Sequence, residues 1–271
     1  MSAESPAKTA LITGASSGLG TEFSHQLAAR GYNLILTARR EERLLQLGEL
    51  LQSRYGIHSQ IHPADLSILT DIEKIISMIT NQDNIDLLVN NAGFGTVGRF
   101  HRVDVEKELA MVNVHMVAPV MLCRAVLPGM ISRNQGAIVN VASMAGFIPI
   151  RNVLYHSSKA FLISFSEALH TELQGGQVRV QALCPGFTVT EFHDTIEYSR
   201  FSRKGIPRFL WMTSEQVVSE SLNALQHGNF MCIPGGIYRV VGAFARNSIS
   251  AGLIKFVARL LLFKRKPSHN G

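Results

Sequence analysis

LITGASSGLG, residues Leu11 to Gly20, joins a short apolar run to a segment with helical periodicity. Its three glycines, Gly14, Gly18 and Gly20, permit a tight turn and let backbone N–H groups approach a phosphate closely. Their spacing, Gly-x-x-x-Gly-x-Gly, departs from the usual Gly-x-Gly-x-x-Gly fingerprint of dinucleotide-binding proteins. Taken alone, the stretch predicts either a site for a dinucleotide pyrophosphate or an ordinary strand-to-helix loop.

On either side of this turn, short apolar runs alternate along the chain with amphipathic segments of helical length. Strands are predicted at residues 9–13, 33–37, 85–89, 137–141 and 179–183. This alternation predicts an α/β fold with a doubly wound parallel sheet of the Rossmann type, covered by helices on both faces. Ligands of such a sheet bind beyond the carboxyl ends of its strands.

The chain of 271 residues, 46% of them hydrophobic, suits one large domain, and no Pro/Gly/Ser-rich linker divides it. We assign residues 1–245 to a dinucleotide-binding catalytic domain. Within it, residues 191–212 lack clear periodicity, which predicts either a substrate lid or a disordered segment. Residues 246–271 are predicted to form a basic, amphipathic C-terminal helix.

Composition argues against several classes of protein. Cys123, Cys184 and Cys232 are odd in number and lack Cys-x-x-Cys spacing, which predicts a reducing compartment without a disulfide framework. No histidine pair has the surroundings of a zinc-protease helix, so we expect no metal site. The N-terminus does not resemble a secretory signal, which predicts a cytoplasmic protein. The formal net charge of +6 does not follow one groove with interleaved aromatic residues, so nucleic acid is not an expected partner.

Tyr155 and Lys159 stand four residues apart in a segment with helical periodicity, so their side chains project from one face of a helix. A neighbouring ammonium group lowers the pKa of a phenol, which would suit Tyr155 to general acid–base catalysis. For an isolated pair, an ordinary amphipathic helix is the alternative. Here Ser143 ends the apolar run GAIVNVAS, and NNAG, residues 90–93, ends another, so both fall on the predicted ligand side of the sheet.

Several motifs occur together along the chain: TGASSGLG, Asp65 in ADL, NNAG, Asn113 in MVNV, Ser143, YHSSK at 155–159 and CPGFTVT at 184–190. In this set the chain resembles the short-chain dehydrogenase/reductase family from Ala10 to about Ile233. The resemblance implies a doubly wound fold, a nicotinamide cofactor and assembly as a homodimer or homotetramer. Ser143 and Tyr155 are twelve residues apart, one fewer than in many members, and this shorter loop bears on the shape of the pocket.

The resemblance also implies roles for individual residues. Tyr155 would exchange a proton with the substrate oxygen, Ser143 would hydrogen-bond that oxygen, and Asn113 would hold a water of the proton relay. Lys159 would bind the nicotinamide ribose and lower the pKa of Tyr155. These four form the predicted catalytic set, and Ser143 and Tyr155 are the predicted substrate contacts. The predicted cofactor contacts are Gly14, Ser16, Ser17, Gly18, Leu19, Gly20, Arg39, Asp65 at the adenine, Asn91 at the adjacent ribose, Tyr155, Lys159, and Thr188 and Thr190 at the carboxamide.

The residues after the second predicted strand bear on the choice of cofactor. NAD enzymes usually carry an acidic residue there for the ribose 2′-hydroxyl, whereas a 2′-phosphate calls for a cation. This chain reads Thr37-Ala38-Arg39-Arg40, and Arg39 is placed for charge-assisted hydrogen bonds to a phosphate. We therefore predict NADP(H) as the cofactor; the alternative is that both arginines only solvate the start of a helix.

Apolar side chains beside these motifs predict a lipophilic substrate. They are Phe94, Met144, Ile148, Phe187 and Phe192, with Phe201, Phe209 and Trp211 in the predicted lid. We predict NADPH-dependent reduction of a lipophilic carbonyl, such as a 3-ketoacyl chain or a sterol-like ketone, with the proton from Tyr155. The alternatives are NADP-dependent alcohol oxidation and a non-catalytic NADP-binding sensor. A basic cluster either attracts an acyl thioester or is simply solvated: Arg200, Arg203, Lys204 and Arg208.

The last part of the chain, SAGLIKFVARLLLFKRKPS, places Lys255, Arg259 and Lys266 on one helical stripe beside a wide apolar face. Charges interrupt its apolar part, which is shorter than the ~20 residues needed to cross a bilayer. The pattern predicts either peripheral contact with an anionic membrane on its cytoplasmic face, or packing against a partner subunit or over the pocket.

Overall fold

The computed structural model describes residues 7–81, 84–148, 152–191 and 206–246. In these residues the strands are β1 Thr9–Thr13, β2 Asn33–Ala38, β3 Ser59–Pro63, β4 Ile85–Asn90, β5 Gly136–Val141, β6 Val178–Leu183, β7 Thr188–Val189, β8 Met212–Thr213 and β9 Met231–Cys232. The helices are α1 Gly18–Ala28, α2 Glu41–Tyr55, α3 Leu69–Thr80, α4 Val105–Val112, α5 Ala118–Ser132, α6 Val153–Glu172, α7 Ser214–Gln226 and α8 Gly236–Arg246. A π-helical segment, Asn113–Val117, links α4 to α5.

The central sheet of the described chain has seven strands in the order β3-β2-β1-β4-β5-β6-β9. All of its pairings are parallel. The order steps outward from β1 in both directions, which makes the sheet doubly wound and confirms the predicted fold class. A separate parallel pair, β7 and β8, follows the carboxyl end of β6.

Alternate residues of the strands enter two hydrophobic cores. Ala10 and Ile12 of β1 pack with α1, α2 and α7 on one face of the sheet. Leu11 packs with α3, α5 and α6 on the other face. All three side chains are fully buried. Since burial of a large aliphatic side chain contributes ~1.5–3 kcal/mol, the two cores hold the sheet between its helical layers.

The five strands predicted from the sequence are β1, β2, β4, β5 and β6, with ends that agree to within a residue. The prediction missed β3, whose sequence SQIHP forms an edge strand of exposed and half-buried residues. An edge strand needs no apolar run, so periodicity could not find it. It also missed β9, because a strand of two residues is too short to leave a pattern.

Two predicted segments fall largely outside the described residues. Of the predicted lid, residues 191–212, the structure describes Glu191 and the part from residue 206, which includes the turn Arg208–Leu210. Phe192, Phe201 and the basic residues at 200, 203 and 204 lie outside it. The predicted C-terminal helix, residues 246–271, lies outside apart from the backbone of Arg246, which ends α8. The domain boundary at residue 245 stays a prediction.

Candidate active site

The glycine turn between β1 and α1 leaves no room for side chains. Gly14 and Gly18 have φ values of 65° and 56°, in the left-handed region that favours glycine. A Cβ at Gly20 would lie 2.2 Å from the carbonyl oxygen of Gly14, and one at Gly14 would lie 2.9 Å from the Cα of Ala92. The turn therefore needs all three glycines.

Helix α1 begins directly after this turn, at Gly18. Its N-cap residue, Ser17, has an extended backbone, and among the described residues no side chain caps the helix. The first N–H groups of a helix lack partners within the helix. Leu19 packs its side chain against the core, so only its backbone is available in this turn. The uncapped helix start and the glycine turn together fit a phosphate group.

The NNAG stretch after β4 is tied to the glycine turn. The side-chain amide of Asn91 donates hydrogen bonds to the carbonyl oxygens of Thr13 at 2.9 Å and Gly14 at 3.2 Å. The Thr13 hydroxyl accepts hydrogen bonds from the backbone N–H groups of Asn91 and Ala92. Asn91 thus lies at the predicted cofactor edge and fixes the shape of the turn there.

Asn113 begins the π-helical segment, an irregularity that is frequent at functional sites. Its Nδ2 donates a hydrogen bond to the carbonyl oxygen of Ser67 at 2.8 Å. Asp65 accepts hydrogen bonds from the N–H and hydroxyl groups of the same serine, at 3.0 and 2.7 Å. The structure therefore joins Asn113 to Asp65 through Ser67, which the sequence analysis did not single out.

Ser143, Tyr155 and Lys159, here called the buried centre, meet beyond the carboxyl end of β5. Asn152 caps α6 by accepting a hydrogen bond from the Tyr155 N–H at 3.0 Å, which places Tyr155 in the first turn of the helix. Lys159 is 5% exposed. Its Nζ lies 5.7 Å from the centre of the Tyr155 ring and donates to the Val141 carbonyl oxygen at 2.8 Å. Tyr155 is hydrogen-bonded to Ser143, so the structure brings these three predicted catalytic residues together.

Burial controls the acid–base properties of the buried centre. It raises the pKa of Tyr155 to about 12, and the hydrogen bond with Ser143 acts in the opposite direction. It lowers the pKa of Lys159 to about 8. The expected lowering of the Tyr155 pKa is thus wrong for this structure, because loss of water around the phenolate is the largest effect. Tyr155 carries its proton at neutral pH.

Three arginines follow β2 and are here called the arginine rim: Arg39, Arg40 and Arg43. Of these, Arg40 contacts the glycine turn. Arg40 donates hydrogen bonds to the hydroxyl and carbonyl oxygens of Ser16, both at 3.2 Å. Arg40 and Arg43 form ion pairs with the Glu191 carboxylate at 3.2 and 2.9 Å. The rim therefore places positive charge beside the turn that fits a phosphate.

Arg39, the arginine singled out from the sequence, points elsewhere. Its side chain is 72% exposed and lies 3.9 Å from the Asp65 carboxylate. Arg40 is a site residue that was not predicted, although two adjacent arginines after a predicted strand are a signal for both.

The chain and its fold are similar to those of known proteins. Residues 8–200 match the family model described as short chain dehydrogenase. The chain belongs to the short-chain dehydrogenase/reductase family. An uncharacterized oxidoreductase of Bacillus subtilis (strain 168), YmfI, is 35% identical over 240 residues, covering 84% of this chain and 98% of that protein. A very-long-chain 3-oxoacyl-CoA reductase of Anas platyrhynchos is 32% identical over 232 residues, covering 83% of this chain and 72% of that protein.

A solved structure of the family, a short-chain dehydrogenase from Sphingobium yanoikuyae in complex with NADPH, has a TM-score of 0.79 and 27% identity. The match covers 97% of this chain and 98% of that one. The protein is accordingly an NADP-dependent short-chain dehydrogenase/reductase, which confirms the predicted cofactor and enzyme class. Its glycine turn, uncapped α1 and arginine rim fit NADP(H).

In this short-chain dehydrogenase/reductase, Thr188 and Thr190 lie on the segment after β6. The Cβ of Thr190 is 3.2 Å from the position that a Cβ at Gly18 would occupy, so Thr190 borders the glycine turn. Thr188 is buried, and its hydroxyl donates a hydrogen bond to the Gly186 carbonyl oxygen at 3.2 Å. The structure thus brings the Pro-Gly segment and the glycine turn to the same edge of the sheet.

Helix α8 contributes a residue that the sequence analysis missed. The Tyr238 hydroxyl accepts a hydrogen bond from the Phe187 N–H at 3.0 Å and donates one to the Leu210 carbonyl oxygen at 2.6 Å. Its ring lies so close to Gly186 that a Cβ there would be 2.0 Å away. Phe187 also packs against Trp211, with ring centres 5.4 Å apart. Tyr238 therefore holds the Pro-Gly segment against the described end of the predicted lid.

Proposed function

We propose that this enzyme reduces a lipophilic carbonyl compound, a ketone or a 3-oxoacyl chain, to the alcohol with NADPH. The observation that carries the proposal is the buried Tyr155, which is hydrogen-bonded to Ser143 and has the Lys159 Nζ 5.7 Å from its ring centre. Bound NADPH supplies a hydride to the carbonyl carbon. A carbonyl oxygen that gains negative charge also needs a proton donor within hydrogen-bond reach. In the reverse reaction, alcohol oxidation, the same tyrosine would act as the base.

Each residue of the buried centre has a role in this reaction. Tyr155 donates the proton, and the Ser143 hydroxyl donates a hydrogen bond to the same carbonyl oxygen. The Lys159 ammonium stabilises the phenolate that remains, since opposite charges attract strongly where water is excluded. Asn113, held to the Ser67 carbonyl, positions a water that returns the proton. A sensor without turnover would not need these groups.

We assign the cofactor contacts to the elements that meet at the glycine turn. The pyrophosphate contacts are Gly14, Ser16, Ser17, Gly18, Leu19 and Gly20. Arg39 and Arg40 bind the 2′-phosphate. Asp65 and Asn91 bind the adenosine, and Thr188 and Thr190 bind the nicotinamide carboxamide. Tyr155 and Lys159 bind the nicotinamide ribose.

Apolar side chains support the lipophilic substrate. Met144 is buried next to Ser143, and Phe187 and Trp211 pack together beside the Pro-Gly segment. Such side chains favour an acyl chain or a fused ring over a sugar. The name of the relative from Anas platyrhynchos, a very-long-chain 3-oxoacyl-CoA reductase, agrees with an acyl substrate.

Kinetics on the full-length protein test this proposal. NADPH oxidation is followed with acetoacetyl-CoA, long-chain 3-oxoacyl-CoA esters, a steroid ketone and, as the polar control, a ketose. We expect kcat/KM to rise with acyl length and turnover to be lost in Tyr155→Phe. Equal turnover of the ketose would contradict a lipophilic pocket, and turnover by Tyr155→Phe would contradict the assigned proton donor.

We further propose a cytoplasmic enzyme whose last residues contact an anionic membrane surface. Residues 221–271 carry seven Lys or Arg and no Asp or Glu. Residues 1–220 carry nineteen Lys or Arg and twenty Asp or Glu. Helix α8, which lies in this basic part, exposes Ile237, Val240 and Phe244 along one side. Apolar and basic residues together suit the membrane interface.

Co-sedimentation with vesicles tests the membrane contact. We expect the full chain to bind phosphatidylglycerol-containing vesicles, to release them at high salt and to ignore phosphatidylcholine. Deletion of residues 252–271, which removes five of the seven basic residues, should weaken binding strongly. Unchanged binding by the shortened chain would remove this part of the proposal and leave packing on protein as the role of the segment.

Among the described residues, one continuous helical stretch, Val105–Ser132, is long and apolar enough to cross a bilayer. It carries Asn113 in the site, and Leu122 and Met130 of this stretch are buried in the core. A core helix accounts for it.

A homodimer or homotetramer is also proposed. Helices α4 and α5 expose the apolar residues Val105, Leu109, Val120 and Ile131, which suit a contact with a second copy. Sedimentation velocity of the wild type and Leu109→Glu tests it: we expect the variant to dissociate, and a monomeric wild type would contradict the proposal.

A further inference from the structure

His115 lies at the junction of three parts of the site that the sequence keeps apart. It belongs to the π-helical segment, two residues after Asn113, and is 1% exposed. Its ring packs edge-on against the ring of Tyr155, with centres 5.7 Å apart, and against that of Phe94, with centres 6.0 Å apart. A Cβ at Gly93 would lie 2.9 Å from its Nε2, so the NNAG stretch closes directly over the imidazole.

The hydrogen bonds of His115 determine which nitrogen carries its proton. The backbone N–H of Phe94 donates to Nε2 at 3.1 Å, so Nε2 is an acceptor and bears no hydrogen. Nδ1 then carries the proton and donates to the Ser158 hydroxyl at 2.9 Å. That hydroxyl donates in turn to the carbonyl oxygen of Tyr155 at 3.0 Å. A directed chain of hydrogen bonds thus runs from the NNAG loop to the backbone of the proton donor.

This environment stabilises the neutral form of the His115 imidazole. Burial and the charge of Lys159 lower the pKa of His115 well below its ordinary value. A protonated imidazole would lose the acceptor for Phe94 and would place a second positive charge near Lys159. The ring is therefore a poor proton carrier, and its contribution is geometric.

We propose that His115 is a positioning residue, which as the neutral Nδ1–H tautomer locks the NNAG loop and Tyr155 in one arrangement. The proposal rests on the role of Tyr155 as proton donor. A catalytic group displaced by about 1 Å loses on the order of 10²-fold in rate, so a residue that fixes both the loop at Asn91 and the ring of Tyr155 affects catalysis without touching the substrate.

Nitrogen-15 NMR of the histidine-labelled, full-length protein tests the tautomer without a substrate. The resonances of His115 are identified by their absence in His115→Gln, with His58→Gln, an exposed position, as the matched control. We expect a protonated Nδ1 and an unprotonated Nε2 that do not titrate near neutral pH. A protonated Nε2 or a charged ring would overturn the proposal.

Two substitutions separate the two ends of the chain of hydrogen bonds. Gln can replace the Nε2 acceptor and Asn the Nδ1 donor, so His115→Gln keeps the bond from Phe94 whereas His115→Asn keeps the bond to Ser158. We expect His115→Gln and Ser158→Ala to lower kcat for acetoacetyl-CoA roughly tenfold, with little change in KM for NADPH. This loss of rate is smaller than that expected for a displacement of the catalytic group by about 1 Å. We expect His115→Asn to raise the Kd of NADPH, because the loop that carries Asn91 is released.

If His115 had only a structural role, all three variants would lose stability and keep their kinetic constants. That result would overturn the proposal. If the wild type turns over none of the 3-oxoacyl-CoA esters and no steroid ketone, the proposed function is contradicted instead. The NMR tautomer together with the Kd values for NADPH then decides the role of His115.

Discussion

The arginine rim and the buried centre serve one site but differ in their contact with water. The side chain of Arg39 is 72% exposed, whereas Lys159 is 5% exposed. Exposed ion pairs contribute ~0–1 kcal/mol because water screens them, so Arg40 can exchange Glu191 for a phosphate at little cost. Buried charges lose their hydration and shift their pKa values. The rim is therefore suited to selecting a cofactor, and the buried centre to controlling a proton.

The largest expected effect comes from removing that proton. Tyr155→Phe deletes the hydroxyl and keeps the ring that packs against His115 and Lys159. We expect kcat for a carbonyl substrate to fall by about 10²–10⁴. NADPH binding should weaken far less, since only one contact to the nicotinamide ribose is lost, and the free energy of unfolding should change little. Steady-state kinetics and fluorescence titration with NADPH check both parts; an equal loss of NADPH binding would mean that the ring had moved.

A second prediction uses the pH dependence of stability to test how deeply Lys159 is buried. Its pKa is about 8 in the folded protein against an ordinary 10.5, so between these values the unfolded chain binds the extra proton. The free energy of unfolding contributed by Lys159 should therefore rise with pH across this window, by roughly 1.4 kcal/mol per pKa unit. The raised pKa of Tyr155 acts in the opposite direction only above the ordinary tyrosine value of 10.0.

Urea denaturation at intervals across this window, for the wild type and Lys159→Met, measures the effect. The variant lacks the titrating group, so the difference between the two proteins should change with pH. A constant difference would show that water reaches Lys159 and would weaken the contrast with the rim.

Gly20→Ala tests the turn that lies between the two regions. The added Cβ would lie 2.2 Å from the Gly14 carbonyl oxygen, so we expect the free energy of unfolding to fall by ~1–3 kcal/mol and NADPH to bind more weakly. Gly236→Ala is the matched control, because the nearest atom to its added Cβ is 4.0 Å away. Equal urea midpoints for the two variants would contradict the close approach.

Substitutions in the arginine rim decide which arginine selects the cofactor. Loss of one charge-assisted hydrogen bond changes binding by ~1.5–3 kcal/mol, so we expect Arg40→Ala to reduce the preference for NADPH over NADH at least roughly tenfold. Arg39→Asp should reduce this preference for NADPH as well. Arg43→Ala serves as the comparison, because Arg43 contacts Glu191. Titration with both nucleotides measures the ratio. An unchanged ratio in the Arg39 variant would assign the 2′-phosphate to Arg40 instead.

Sequence reasoning succeeded where the signal is local. The Tyr155 and Lys159 side chains share one helix face because their spacing follows the helical period. It failed for Arg40, Ser67, His115 and Tyr238, whose roles depend on partners elsewhere in the chain. The Tyr238 hydroxyl reaches Phe187, 51 residues away, and the Asn113 amide reaches Ser67, 46 residues away.

By itself, the sequence determined five of the parallel strands, their alternation with helices and the glycine turn, because these follow from backbone sterics and hydrophobic periodicity. Tertiary structure decided the protonation of the site. The sequence predicted a lowered Tyr155 pKa from one neighbouring charge, whereas the fold buries the phenol and raises that pKa to about 12. Desolvation depends on every element packed around a group, and so no single motif can encode it.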